Sequence, residues 1–217
     1  MKKFELTNEF VTNMFGTKLF RIRALVEFGD VEAGELGGYV EKESNLGHDD
    51  NAWVYDNAWV YGNARVYGDA LVYDNARVYD NAWVYGDAQV SGDARVYGNA
   101  WVYGNALVCG NALVYDNAWV YGDALVCGNA RVCSDEDYAY AHGFGSVNRT
   151  TTFFRLKDGG VGVRCGCFYG TLAQFRDKIR ETHGETKKAQ EYLMLADLME
   201  LRFEEDENEV GNRKYVE

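Results

Sequence analysis

From Ala52 a six-residue unit, Ala-x-Val-Tyr-(Gly/Asp)-(Asn/Asp), recurs without insertion or deletion to about Val132, with valine at every sixth position from Val54 onward. A short fixed period constrains a chain more than its composition does, because every unit must be the same structural element stacked on its neighbours. Within the unit, Ala, x, Val and Tyr alternate with the period of two expected of a strand, so Ala and Val point one way and x and Tyr the other. The small and branched apolar pair takes the interior. The Gly/Asp and Asn/Asp pair supplies residues that tolerate positive φ, which a corner between short strands requires. Each unit therefore reads as one strand and one corner.

Read from valine, the unit becomes Val-Tyr-Gly-Asn-Ala-x, and over roughly residues 46 to 135 it resembles the hexapeptide-repeat family, in which an aliphatic residue is followed four positions later by a small one. The resemblance implies a mainly β protein built on a left-handed parallel β-helix with three hexapeptides per coil. Fourteen units, Val54 through Val132, would then make between four and five coils, a rod about 20 to 25 Å long at a strand spacing of about 4.8 Å.

Eighteen residues per coil sorts the outward positions into three columns. The first holds Trp53, Leu71, Gln89, Leu107 and Leu125, with Tyr55, Tyr73, Ser91, Cys109 and Cys127 beside them, and is the most aliphatic. The second holds Trp59, Arg77, Arg95, Leu113 and Arg131 with Tyr61, Tyr79, Tyr97, Tyr115 and Cys133, and reads as a solvated face. The third holds Arg65, Trp83, Trp101 and Trp119 with Tyr67, Tyr85, Tyr103 and Tyr121, an aromatic ladder. An apolar patch of that size marks an interface. Burial against another copy of the chain or against the terminal regions is the first expectation, docking of a different protein the second, and stacking of a sugar or nucleobase the third. Corner chemistry accounts for the aspartates Asp69, Asp80, Asp87, Asp116 and Asp123, which lack the glycine-rich nonapeptide spacing of calcium-binding β-rolls.

The flanks divide the chain into an N-terminal β cap (1–45), the repeat (46–137), a small α+β unit (138–205) and an acidic tail (206–217). Before the repeat, Leu19 to Val26 alternates like a strand and precedes a glycine-marked turn, a segment suited to closing an open coil. Leu46 falls in the alanine register, while His48 breaks the valine register and reads as a cap residue. After the repeat the pattern decays through SDEDYAYAHGFGS. Thr150 to Leu156 and Val161 to Tyr169 then read as a hairpin over Lys157-Asp158-Gly159-Gly160. Thr171 and Gln174 form a capping box for a helix with Leu172, Phe175 and Ile179 on one face. His183-Gly184 ends that helix, and a second carries Ala189, Tyr192, Leu193, Ala196 and Met199 or Leu201, giving a ββαα unit. The run EEDENE that follows reads as disordered.

The segments GGYVEKESNL, TTTFFR, CGCFYGTLAQF, ETHG and EYLMLADL resemble those flanking hexapeptide repeats in phage and prophage proteins of unknown function. That resemblance spans nearly the whole chain and implies a viral or prophage origin, but it carries no catalytic residue.

Charge narrows the partners. Twenty-two basic against 34 acidic side chains give a net charge of −12, which repels phosphate backbones and anionic membranes, so neither direct nucleic-acid nor membrane binding is expected. An acidic rod could instead occupy the basic groove of a nucleic-acid-binding protein. The N-terminus lacks a signal-peptide apolar run, and a cytoplasmic location follows. Five cysteines, three of them in tyrosine positions of the repeat, read as free thiols. Cys165, Cys167 and His183 supply only three potential ligands at a spacing that matches no strong zinc pattern, so no metal and no cofactor is expected. Many hexapeptide proteins are trimeric acyltransferases with a catalytic histidine. Here His48, His142 and His183 all lie outside the regular coils, leaving no general base for that chemistry.

The resulting expectation is a non-enzymatic, homo-oligomeric, phage-encoded protein that binds a host protein, with a CRISPR effector or nuclease, inhibited by a DNA mimic, as the target class. A structural or scaffolding phage component, a nucleotide-signal sponge using Arg77, Arg95 and Arg131, and an acyltransferase are the alternatives. An ice-binding role is disfavoured by the bulky, charged outward rows.

Overall fold

A computed structural model describes residues 2–144 and 148–204, so the expected acidic tail lies outside the described residues. Fourteen two-residue rungs, from Trp53–Val54 to Arg131–Val132, build a solenoid. Each rung pairs in parallel with the rung eighteen residues on, as Trp53 with Leu71, Trp59 with Arg77 and Arg65 with Trp83. Three sheets result, and they hold the three columns anticipated from the sequence. Alanine and valine of every unit from Ala52 to Val132 are fully buried in one continuous core. The strands are shorter than the Ala-to-Tyr run anticipated, because tyrosine already belongs to the corner. Only the first residue of each corner pair takes positive φ, as Asp74 (59°), Asp80 (59°) and Gly98 (70°) do. Asx side chains are among the few that tolerate that region.

The outward residue of a rung donates its N–H to a carbonyl of the next coil, Trp83 N to Ala100 O at 2.9 Å for instance. The first and last coils have a neighbouring coil on one side alone, so the backbone groups on their open sides must find partners in the flanking segments. Donors gather at the first end. The Lys3 ammonium donates to Asp50 O (3.2 Å) and Ala52 O (2.8 Å), and the Asn45 amide to Gly62 O (3.2 Å) and Ala64 O (2.9 Å). Acceptors gather at the other. The Asp135 carboxylate takes Trp119 N–H (2.7 Å), Thr152 Oγ1 takes Leu125 N–H (2.9 Å), and Asp137 takes the N–H groups of Cys133 (2.9 Å) and Ser134 (3.0 Å).

The N-terminal sheet comprises β1 (Phe4–Thr12), β2 (Lys18–Ala24) and β3 (Leu36–Val40), the last continuing the second face in parallel through Tyr39 and Trp59. β1 was not apparent in the sequence, whose FELTNEFVT mixes polar and apolar residues without a clean alternation. The sheet covers Trp53, which is fully buried against Phe4 and Phe28 rather than facing outward in the first column. His48 takes the cap role anticipated for it. Its Nδ1 accepts Lys3 N–H at 3.1 Å, its Nε2 lies 2.8 Å from Glu43 Oε1, and its ring stacks on Phe4.

The C-terminal unit has four strands, β4 (Tyr138–Phe144), β5 (Arg149–Arg155), β6 (Val161–Cys165) and β7 (Phe168–Thr171), followed by α1 (Leu172–His183) and α2 (Lys187–Phe203). The sheet departs from the expected hairpin in two places. The YAYAHGF segment, taken as decaying repeat, pairs with β5. Val161 to Tyr169 is cut in two by a turn at Gly166, where φ is +57°. The Thr171–Gln174 capping box and the Gly184 C-cap form as anticipated. On α2 the buried face ends on Met199 and Phe203, and Leu201 is 68% exposed.

Candidate interaction surface

The third face is a stack of rings. Trp83, Trp101 and Trp119 follow one another with centroids 5.1 and 5.3 Å apart and planes within 4° and 13°. Tyr67, Tyr85, Tyr103 and Tyr121 run beside them at 5.0, 5.0 and 5.3 Å. Identical residues eighteen apart meet because the coils keep strict register, and the coil rise sets the ring spacing. Tyr67 meets Trp83 and Tyr85 meets Trp101 edge to face, the arrangement that aromatic quadrupoles favour. Arg65 takes the place of a fourth indole at the N-terminal end, its guanidinium 5.7 Å from the Trp83 ring centre. Ser44, Gly47, Val66 and Tyr67 join Arg65 and Trp83 around a shallow cleft of about 340 Å³ there.

Of the coverings expected for this face, the described terminal regions reach its two ends: Ser44 and Gly47 border the cleft at Arg65, and Tyr138 and Tyr140 meet Tyr121 edge-on. Trp83 and Trp101 are half-buried by their own stacking, while Trp119 is 45% and Tyr121 41% exposed.

The five corner aspartates singled out in the sequence border this same face. Asp80 and Asp116 occupy the corner that leads into it, and Asp69, Asp87 and Asp123 the corner that leaves it. Ordered amides hold several of them. Asp69 accepts from Asn51 at 2.7 Å, Asp123 from Asn105 at 2.9 Å, and Asp80 from the Gly98 N–H at 3.3 Å. Alongside Asp80 and Asp116 an amide ladder runs through Asn63, Asn81, Asn99 and Asn117 at 3.1, 3.1 and 3.2 Å. The rim is therefore negatively charged on both sides and built on rigid backbone.

The second face is less solvated than its arginines suggested. Tyr61, Tyr79, Tyr97 and Tyr115 form another stack, with centroids 5.0, 4.9 and 5.3 Å apart. Burial pushes the phenol pKa up at all four. Arg77 lies 4.5 Å over the Trp59 ring, and Arg131 donates to the Asn111 and Ala130 carbonyls. Two of the three arginines named for a nucleotide sponge are thus engaged within the chain.

The first face corrects the reading of the cysteines. Cys109 and Cys127 form a disulfide between adjacent coils, with Cα atoms 4.6 Å apart, because strand register stacks them at the separation a disulfide spans. Cys133, Cys165 and Cys167 are free thiols. Cys165 faces inward, 3.1 Å from Thr151 Oγ1, whereas Cys167 is exposed beyond the Gly166 turn, so the two do not share a face. His183 stacks on Tyr192. Phe168 packs on Phe175. Among the described residues no cluster of three or more His, Cys, Asp or Glu side chains is arranged to hold a metal ion. No helix among them is long and apolar enough to cross a membrane.

The repeat is of a kind found elsewhere. Residues 58–72, 70–86, 88–104 and 106–122 match the family model described as the YdcK β-solenoid repeat. Coil and match together define the middle of the chain as a repeat β-solenoid. No curated protein matches the sequence.

Proposed function

We propose that this is a non-catalytic protein, encoded by a phage or prophage, that binds a host protein through the third face of a left-handed coil of three hexapeptides per turn. The observation that carries the reading is the conjunction of a stacked Trp and Tyr ladder with aspartates along both of its borders. Rigid aromatics supply contact area at little entropic cost, and they dominate binding energy where they are buried by a partner. Asp69 and Asp87 stand on adjacent coils, a like-charge neighbourhood that lowers stability and that lysines and arginines of a partner would relieve. A protein whose groove is built for a nucleic-acid backbone offers those cations, and the corner carboxylates then stand in for phosphates. A CRISPR effector or a nuclease is the corresponding target class, and inhibition by occupancy the mechanism.

Changing Asp69, Asp80, Asp87, Asp116 and Asp123 to asparagine tests the electrostatic half. Asparagine is native at the second corner position, where Asp69, Asp87 and Asp123 stand, and it tolerates the positive φ of Asp80 and Asp116, so the melting temperature should hold. The association rate with a nuclease or CRISPR effector should fall about tenfold or more and lose most of its salt dependence. An unchanged, salt-insensitive rate measured by surface plasmon resonance would remove the mimicry from the account.

A further inference from the structure

Helix α2 has two apolar faces, and the fold uses one. Ala189, Tyr192, Ala196, Met199 and Phe203 are buried in the C-terminal core. Met194, Leu198 and Leu201 are exposed at 70%, 55% and 68%. Steps of four and three residues place these three on a single stripe. One exposed leucine means little, but an aligned stripe on a helix whose opposite side is already packed is the pattern of a helix–helix contact.

Charge along the helix says what covers it. Lys187 and Lys188 stand exposed at its start, Glu204 at its end, and the sequence continues acidic beyond Glu204. Glu191 and Arg202 flank the stripe between them. Laid antiparallel on an identical helix, the lysine end of one copy meets the glutamate end of the other, and each Arg202 passes Glu191 of the second copy. A parallel pairing sets like charges together. Self-complementary ends around a central apolar stripe are what a two-fold contact requires, since every interaction is then made twice. We propose that two copies of the chain pair through α2, antiparallel, about a two-fold axis midway between Met194 and Leu198. The pairing is independent of the third face and leaves both ladders free.

Light scattering on the full chain should give twice the 24.5 kDa chain mass at micromolar concentration. Met194→Glu with Leu198→Glu should give the monomer at an unchanged melting temperature, because both side chains are exposed. Lys187→Glu with Lys188→Glu should weaken the dimer, and adding Glu204→Lys to that variant should restore it, a rescue that only the antiparallel arrangement provides. A wild-type monomer at every concentration, a dimer that survives the two stripe substitutions, or a dimer lost instead on changing Trp101 would each overturn the pairing. Loss of host-protein binding with the dimer intact would count against the third-face reading alone.

Discussion

Val102→Asp is expected to unfold the solenoid. Val102 is fully buried and stacked between Val84 and Val120 of the adjacent coils. Its neighbours across the core are alanines and valines, which offer a carboxyl group no partner. An isolated buried carboxylate protonates before it tolerates such a site, and even the neutral acid costs about 2 to 7 kcal/mol without a hydrogen bond. Domains of this size are stable by about 5 to 15 kcal/mol, and the substitution also removes valine packing from the coils on both sides. Scanning calorimetry should show no cooperative transition, or one lowered by more than ten degrees or so. Arg95→Asp, an outward residue on the neighbouring rung, should melt close to the parent. A Val102→Asp variant that did the same would mean that the interior is not the dry core described.

Alkaline pH should be the second large lever. Burial raises the phenol pKa of Tyr115 and Tyr138 and lifts that of Tyr192 to about 12, and all three are at least 95% buried. Below the unfolded value of about 10 both states hold the proton and the contribution to stability is complete. Above it the unfolded chain ionises first, so stability falls as pH rises toward the folded pKa, at about 1.4 kcal/mol per unit for each group. At pH 11 these three groups alone remove about 4 kcal/mol, and the half-buried ladder tyrosines act in the same direction. Lys3 opposes this earlier. Desolvation under the cap lowers its pKa to about 8, partly offset by Asp50, Asp49 and Asp69. The unfolded chain therefore holds that proton while the folded one releases it, and stability should rise between pH 8 and about 10.5. Melting temperature against pH should show a shoulder or small maximum near pH 9 to 10 and a steep fall above, with most of the tyrosinate absorbance appearing together with loss of ring circular dichroism. Lys3→Met should erase the rise and keep the fall. Ionisation of most of the sixteen tyrosines near pH 10 with the fold intact would contradict the burial of the rings.

Where every unit repeats, the sequence was legible to the residue. Strict six-residue spacing fixes which side chain stacks on which, so all three columns, including Trp83–Trp101–Trp119, follow from the sequence. What escaped were the contacts between the repeat and its ends. Trp53 occupies an outward register position, yet Phe4 and Phe28, far from any repeat, bury it. Lys3 looked like an ordinary terminal lysine because nothing local shows that the first coil leaves carbonyls in need of a donor. The strand Tyr138–Phe144 was hidden by the remnants of repeat composition in YAYAHGF. Cys109 and Cys127 resembled two separate replacements of tyrosine, although the eighteen-residue register already set them side by side. The aspartates were individually legible as corner residues, and their common border along one face followed only from the assembled coil.

The most direct measurement is affinity capture from host lysate with the wild-type chain and with Trp83→Ala/Trp101→Ala as parallel baits, washed through a salt series and with duplex DNA as competitor. Both positions are outward, so the variant should stay folded by near-ultraviolet circular dichroism of the remaining rings. The account predicts one or a few nucleic-acid-binding proteins held by the wild type, released by salt and by DNA, and bound at least about thirty-fold more weakly by the variant, as for loss of an aromatic hot spot of about 2 kcal/mol. The same proteins retained equally by both baits, or capture indifferent to salt and DNA, would contradict it.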